Sequence, residues 1–196
     1  MTLYSTEPGE VDSVVLASAF LRSIGVDLDA PDMERTPLRF AAALRELTAG
    51  LRDPFDAGTV LARTFAPPPG TAVMIFLKRV PFRSVCEHHL LPFTGHATVA
   101  YLPADGARVA GISKLARLVA GYAAAPQMQE RLGQQVVDAL GKHLDIQGAG
   151  CLIEATHTCL TLRGPCADGA VMLTSHLTGK FFDSPVRAEF LALAKG

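Results

Sequence analysis

The chain of 196 residues lacks most features that mark a specialised protein. No apolar run reaches the ~18 to 20 residues that a membrane-spanning helix requires, so no membrane partner is expected. The start, Met1-Thr2-Leu3-Tyr4-Ser5, has no basic patch leading into an apolar core, so no secretory signal is expected. Neither sign of charge is in surplus: 18 Lys+Arg stand against 19 Asp+Glu, giving a net charge of -1. No basic run is present, and a nucleic-acid polymer is not an expected partner, because phosphate neutralisation draws on surplus cations. The four cysteines are too sparse for a secreted disulfide scaffold. Cys86, Cys151, Cys159 and Cys166 also match neither a zinc ribbon nor a Cys-x-x-Cys redox pair. A reducing, cytoplasmic location is the default, where free thiols can ligate metal. No internal repeat is found.

At 49% hydrophobic and 19% charged, the chain has the composition of a globular protein with ample core. Its first third reads as helical. Val11, Val14, Val15, Ala19 and Phe20 indicate one helix ending near Gly25. Thr36-Pro37 opens a second, with Thr36 as cap and Pro37 at the first helical position. Phe40, Ala43, Leu44 and Leu47 continue it as an i, i+3, i+4, i+7 stripe, and Gly50 is a stop. Residues 65–70, with Pro67 to Pro69, read as a linker. The expected division is a helical segment over 1–66 and a second domain over 67–196.

Beyond the linker the pattern becomes strand-like over 71–80 and 94–102. A helix follows, capped by Ser113 and carrying Leu115, Leu118, Val119 and Tyr122 on one face. Another starts at Pro126, lined by Met128, Leu132, Val136 and Leu140. A long strand over 151–163 and a last one over 170–181 complete the order strand, strand, helix, helix, strand, strand. That order predicts an α+β domain, a mostly antiparallel sheet with two helices on one face.

The densest polar cluster is Cys86-Glu87-His88-His89, and the second is His157-Thr158-Cys159. In one continuous strand, His157, Cys159, Thr161 and Arg163 would share a face, with Arg163 ~13 Å beyond Cys159. Two Cys and one His form a soft donor set suited to zinc, and three protein ligands leave a fourth position for water. Zinc can lower the pKa of that water to about 7, and a neighbouring unligated His can move protons. Cys86, His89 and Cys159 are the candidate ligands, with His88 and His157 as acid–base groups, although spacing alone does not decide which His binds metal. Cys151 and Cys166 read as inert thiols, and His96, His143 and His176 as structural or surface histidines.

Lys114 and Arg117 fall three apart on the first turns of a helix that begins near Ser113. Helix-start N–H groups and two cations suit a polyphosphate, and Arg163 can add a third cation; a solvated basic face is the plain alternative. In Gln129-Glu130-Arg131, the Glu130 carboxylate either stabilises the helix dipole or accepts hydrogen bonds from a purine's amidine edge.

These residues carry a family resemblance. Residues 86–93, 111–117, 127–132 and His157-Thr158-Cys159 with Arg163-Gly164 resemble GTP cyclohydrolase I, as do Thr36-Pro37-Leu38-Arg39 and Arg187-Ala188-Glu189-Phe190-Leu191. The resemblance implies a tunnelling fold (T-fold) whose subunits join their sheets into a barrel, and a homodecamer of two face-to-face pentamers. It implies that Cys86, His89 and Cys159 hold Zn2+, that His157 protonates the purine imidazole, and that His88 assists near the ribose. Glu130 would anchor guanine with Gln129 beside it. Lys114, Arg117 and Arg163 would hold the triphosphate, with Ser113 close to the ribose and phosphates. For Arg39, a reach to a neighbouring subunit's triphosphate is left open. The implied reaction is zinc-dependent hydrolytic opening of the guanine imidazole ring of GTP, with release of formate and formation of 7,8-dihydroneopterin triphosphate. That chemistry is a first step of tetrahydrofolate, other pterin and 7-deazapurine synthesis. His96 stands where relatives commonly carry Lys and receives no role.

A zinc nucleobase deaminase requires a Glu two residues after its first ligand and a Pro-Cys-x-x-Cys pair. Here Glu87 adjoins Cys86, and Pro165-Cys166 has no second Cys at that spacing. A T-fold protein with structural zinc is the remaining rival. It would need His88 or His157 as a fourth ligand.

Overall fold

Five strands form the sheet that organises the molecule, in the order β5-β2-β3-β6-β7. The computed structural model describes residues 12–67 and 73–195. The long members are β2 (Ile75–Cys86), β3 (Pro92–Pro103) and β6 (Ile146–His157), flanked by β7 (Met172–Leu177) and the two-residue β5 (Pro126–Gln127). All neighbours are antiparallel except β5 on β2. A minor ribbon pairs β1 (Thr64–Phe65) with β4 (Val109–Ala110).

Two helices, α4 (Ile112–Ala123) and α5 (Gln129–His143), lie between β3 and β6 in the chain and cover one face of the sheet. The reason is periodicity. Leu115, Leu118 and Val119 recur on one side of α4, and Leu132, Val136, Val137 and Leu140 on one side of α5. They meet the strand residues that point the same way, Val99, Tyr101, Cys151 and Ile153, and all eleven are fully buried. Each of the nine Leu, Val and Ile side chains among them contributes about 1.5 to 3 kcal/mol on burial. Burial also pushes the Cys151 thiol up to about 12, which keeps it protonated and inert. The alternate residues face the other side. There Ala100 packs with Phe181 and Phe190, the latter from the C-terminal helix α7 (Ser184–Lys195). Gly150 leaves room for this: a Cβ on it would lie 2.7 Å from Phe181 Cδ1.

The chain divides into two units, 1–48 and 49–196. In the first, α1 (Ser13–Ser23) and α2 (Thr36–Leu47) bring Phe20 and Phe40 into a stack at 6.2 Å. In the second, the short α3 (Ala57–Leu61) buries Ala57 and Leu61 in the main core. Val11, Pro68 to Gly70 and the 71–72 start of the expected first strand lie outside the described residues.

Several boundaries differ from the sequence reading. Thr36 is the first residue of α2 rather than its cap, and its hydroxyl meets Met33 Sδ at 3.7 Å. Ser113 likewise lies inside α4, whose cap position is Gly111. Pro126 does not start a helix but pairs with Val85, and α5 begins at Gln129. The expected last strand stops at Leu177, and a 3₁₀ turn (Gly179–Phe182) leads into α7, a helix the sequence reading did not place.

The correction that bears on the site is at β6. Strand geometry ends at His157, and α6 (Thr158–Thr161) follows at once. Thr158 makes the turn: its hydroxyl donates to Pro92 O at 2.6 Å, across the start of β3. The shared strand face expected for residues 157–163 therefore does not exist beyond His157.

Candidate functional site

The first cluster is built by the hairpin that joins β2 to β3. Cys86 N–H donates to Leu91 O at 2.9 Å, and Leu90 N–H donates to Cys86 O at 2.8 Å. The turn is closed by Leu90 in the left-handed region, with φ 53°. It sets His88 Nδ1 3.8 Å and His89 Nδ1 3.7 Å from Cys86 Sγ. A second tether holds the turn to the sheet's edge: Glu87 N–H donates to Gln127 O at 3.1 Å, and the Glu87 carboxylate pairs with Arg131 of α5.

The coil of α6 brings Cys159 back toward this turn. One ligand atom from each of Cys86, His89 and Cys159 lies within 4.8 Å of the other two. Geometry thus selects His89 over His88 as the third member, a choice that spacing left open. Burial and the adjacent Cys86 thiol push the Cys159 thiol up, and Arg163 draws it partly back. Two thiols held side by side resist ionising together, a conflict that a divalent cation between them resolves. Among the described residues this is the one group of three or more Cys, His, Asp or Glu donors placed to hold a metal ion. The residues fit a soft, thiophilic cation with one coordination position left open.

Around the cluster stand three further candidates. His157 ends β6 opposite Phe93, its ring stacked on the phenyl at 4.4 Å and 7°. Burial lowers its pKa and the Glu130 carboxylate partly offsets this. Glu130 is exposed on the first turn of α5. Arg163 lies close rather than ~13 Å away, with Nη1 3.3 Å from His89 Nε2.

Gln129 is placed otherwise than expected. It is 1% exposed, and its side chain spends every polar atom inside the protein. Nε2 meets Ile153 O at 3.2 Å, Met172 O at 3.0 Å and Thr174 Oγ1 at 3.2 Å, while Oε1 meets His157 Nε2 at 2.9 Å.

Ser113, Lys114 and Arg117 are not brought to the cluster. Just before α4, Ala110 N–H donates to the Tyr101 hydroxyl at 2.9 Å. Just after it, Ser84 Oγ donates to Ala125 O at 3.1 Å and Gln127 pairs with Cys86. The helix therefore runs from the Tyr101 rung toward the Cys86 end, and its first turn lies at the far end of the sheet. Tyr101 and Phe93 are eight residues apart on β3, roughly 26 Å along the strand. Ser113 and Arg117 are exposed there, and Lys114 is half-buried.

Arg131 and Glu87 are the residues that sequence reasoning passed over. Their signal was present, as a carboxylate inside one motif and a guanidinium inside another. Only the fold shows that β5 and α5 carry Arg131 to the ligand turn.

A β-β-α-α-β-β sheet with two helices on one face, whose first hairpin ends in a Cys, His, Cys group that could hold a metal ion, is a T-fold arrangement. The chain belongs to the GTP cyclohydrolase I family, whose model matches residues 15–195. It is 42% identical to GTP cyclohydrolase 1 of Corynebacterium glutamicum over 177 residues, covering 90% of this chain and 88% of that one. It is 43% identical to GTP cyclohydrolase 1 of Dehalococcoides mccartyi, with 88% and 90% covered. The protein of the same name from Mycobacterium leprae is 44% identical, with 88% and 83% covered.

Proposed function

We propose that this protein is a zinc-dependent GTP cyclohydrolase that opens the guanine imidazole ring of GTP, releases formate and forms 7,8-dihydroneopterin triphosphate. The observation that carries this reading is the Cys86–His89–Cys159 cluster with His88 and His157 beside it, in a chain of that family. Zinc, when bound to that set, supplies a Lewis acid and a water of lowered pKa.

The chain's own groups divide the remaining work. His157 exchanges a proton with the purine imidazole nitrogen, and His88, exposed at the same turn, serves the later proton transfers near the ribose. Glu130 accepts hydrogen bonds from the amidine edge of guanine, for which an exposed, ionised carboxylate is suited. Arg163, Lys114 and Arg117 hold the triphosphate, with Ser113 at the start of α4 close to the ribose and phosphates. Arg39 is left without an assignment. The catalytic domain in this reading is 67–196, which contains every one of the site residues, and 1–66 is the helical segment.

One chain cannot complete this site, because Lys114 and Arg117 lie a sheet's length from the cluster. The reading therefore includes a homo-oligomer in which the α4 start of one copy meets the Cys86 end of the next; the family resemblance makes it a decamer of two pentamers. The outer edge of β7, unpaired among the described residues, supports joining of sheets, since such an edge offers backbone donors and acceptors to another strand. No helix among the described residues is long and apolar enough to cross a membrane. A cytoplasmic location is part of the proposal, on the strength of the four free cysteines.

The test is incubation of the zinc-loaded protein with GTP, following formate and the fluorescence of the oxidised neopterin product. Both should appear in equal amounts. A folded, metal-replete oligomer that forms neither overturns the reading. The structural-zinc alternative loses support because neither His88 nor His157 joins Cys86, His89 and Cys159 in the group whose ligand atoms lie within 4.8 Å of one another.

A further inference from the structure

The side chain of Gln129 has a job that its neighbourhood defines. Its Nε2 carries two hydrogens, and it faces two backbone carbonyls, Ile153 O at 3.2 Å and Met172 O at 3.0 Å. Carbonyl oxygens only accept, so turning the amide over would set Oε1 against both of them, acceptor facing acceptor. The amide orientation is fixed by this pair, and Oε1 is the atom presented to His157, 2.9 Å from Nε2. An amide oxygen also only accepts. The hydrogen of that contact therefore belongs to His157 Nε2, and in the neutral ring the lone pair falls on Nδ1. The ring plane is held independently, by the stack on Phe93 at 4.4 Å and 7°. Face and edge are both fixed. Among the described residues Nδ1 has no hydrogen-bond partner.

We propose that Gln129 is a positioning residue rather than a guanine contact: it fixes His157 with hydrogen on Nε2, making Nδ1 the atom that exchanges a proton with the substrate. This deepens the proposed reaction and rests on it for the identity of the substrate. The step is balanced simply: a proton held on Nδ1 passes to the purine nitrogen, and the ring returns to its neutral Nε2–H form. With the other tautomer the same ring would present a hydrogen where a lone pair must re-accept one, a defect that costs rate and not affinity.

Two arms test it. In zinc-loaded protein carrying 15N-labelled histidine, assigned against His157→Ala, the neutral His157 should show Nε2 as the hydrogen-bearing nitrogen and Nδ1 as the bare one; the reverse overturns the proposal. In steady-state kinetics, Gln129→Met should lower kcat roughly a hundredfold or more while KM for GTP stays within about threefold and zinc content is unchanged. Gln129→Glu, which when protonated keeps both an acceptor and a donor, should recover part of the lost kcat. A raised KM with kcat retained in the Met variant makes Gln129 a guanine contact and overturns the proposal. So does an equal loss in both variants with His157 shifts unchanged from the parent. The spectroscopic arm needs no turnover and no variant at Gln129. It decides the tautomer even if the parent proves inactive on GTP, an outcome that sinks the functional reading instead.

Discussion

The two ends of the sheet differ in how much of their geometry is settled within one chain. At the Cys86–His157 end, a backbone-closed turn, an ion pair to α5, a helical reversal at Thr158 and the buried Gln129 amide fix the polar groups against one another. At the Tyr101 end, Ser113, Lys114 and Arg117 project from the start of α4, and neither cation forms an ion pair among the described residues. The contrast fits a division of labour. Metal ligation and proton transfer tolerate little misplacement, so their groups are locked by neighbours. In the proposed reading, a flexible triphosphate is gathered by cations whose positions are completed only when a second copy arrives.

Breaking the locked end should have the largest effect. Cys159→Ser should lose both zinc and turnover, measured by metal analysis and formate release; retained zinc refutes the ligand set. His157→Ala should keep zinc and lose about 10² to 10⁴ in rate before ring opening. A ring-opened formamide accumulating in that variant would move His157 to a later step. Arg131→Gln, which frees the ligand turn from α5, should weaken zinc about tenfold to a hundredfold in a chelator competition while leaving the fold intact. An unchanged affinity would mean that the turn's own hydrogen bonds suffice. At the open end the effect should be smaller and of a different kind. Lys114→Ala should raise the apparent KM for GTP by roughly tenfold, the worth of one charge-assisted contact, with zinc content unchanged. An unaltered KM disqualifies the phosphate role.

How far the sequence revealed these ends follows from how local their signals are. The strand–strand–helix–helix–strand–strand order was legible because apolar residues recur every second position in the strands and at Leu115, Leu118 and Val119 in α4. The grouping of Cys86, His89 and Cys159 was legible because Cys86 and His89 share one turn and Cys159 is chemically conspicuous. The reversal at Thr158 was not. Leu160 and Leu162 continue a strand-like alternation, and what ends the strand is a hydrogen bond to Pro92, 66 positions earlier in the chain. The same limit hid the burial of Gln129, whose partners Ile153, Met172 and His157 come from two other strands. Nor does periodicity reveal that α4 runs lengthwise along the sheet and so separates its first turn from the cluster.

The central claim, one site assembled from opposite ends of two copies, is tested most directly by complementation. Chains carrying Cys159→Ser and chains carrying Lys114→Ala with Arg117→Ala are each impaired at one end only. Co-expressed in equal amounts and assayed at low GTP, they should form mixed oligomers in which about a quarter of the sites combine two intact halves. Turnover near a quarter of the parent's is the predicted result. Mixed oligomers with no more activity than the separate variants would contradict the account.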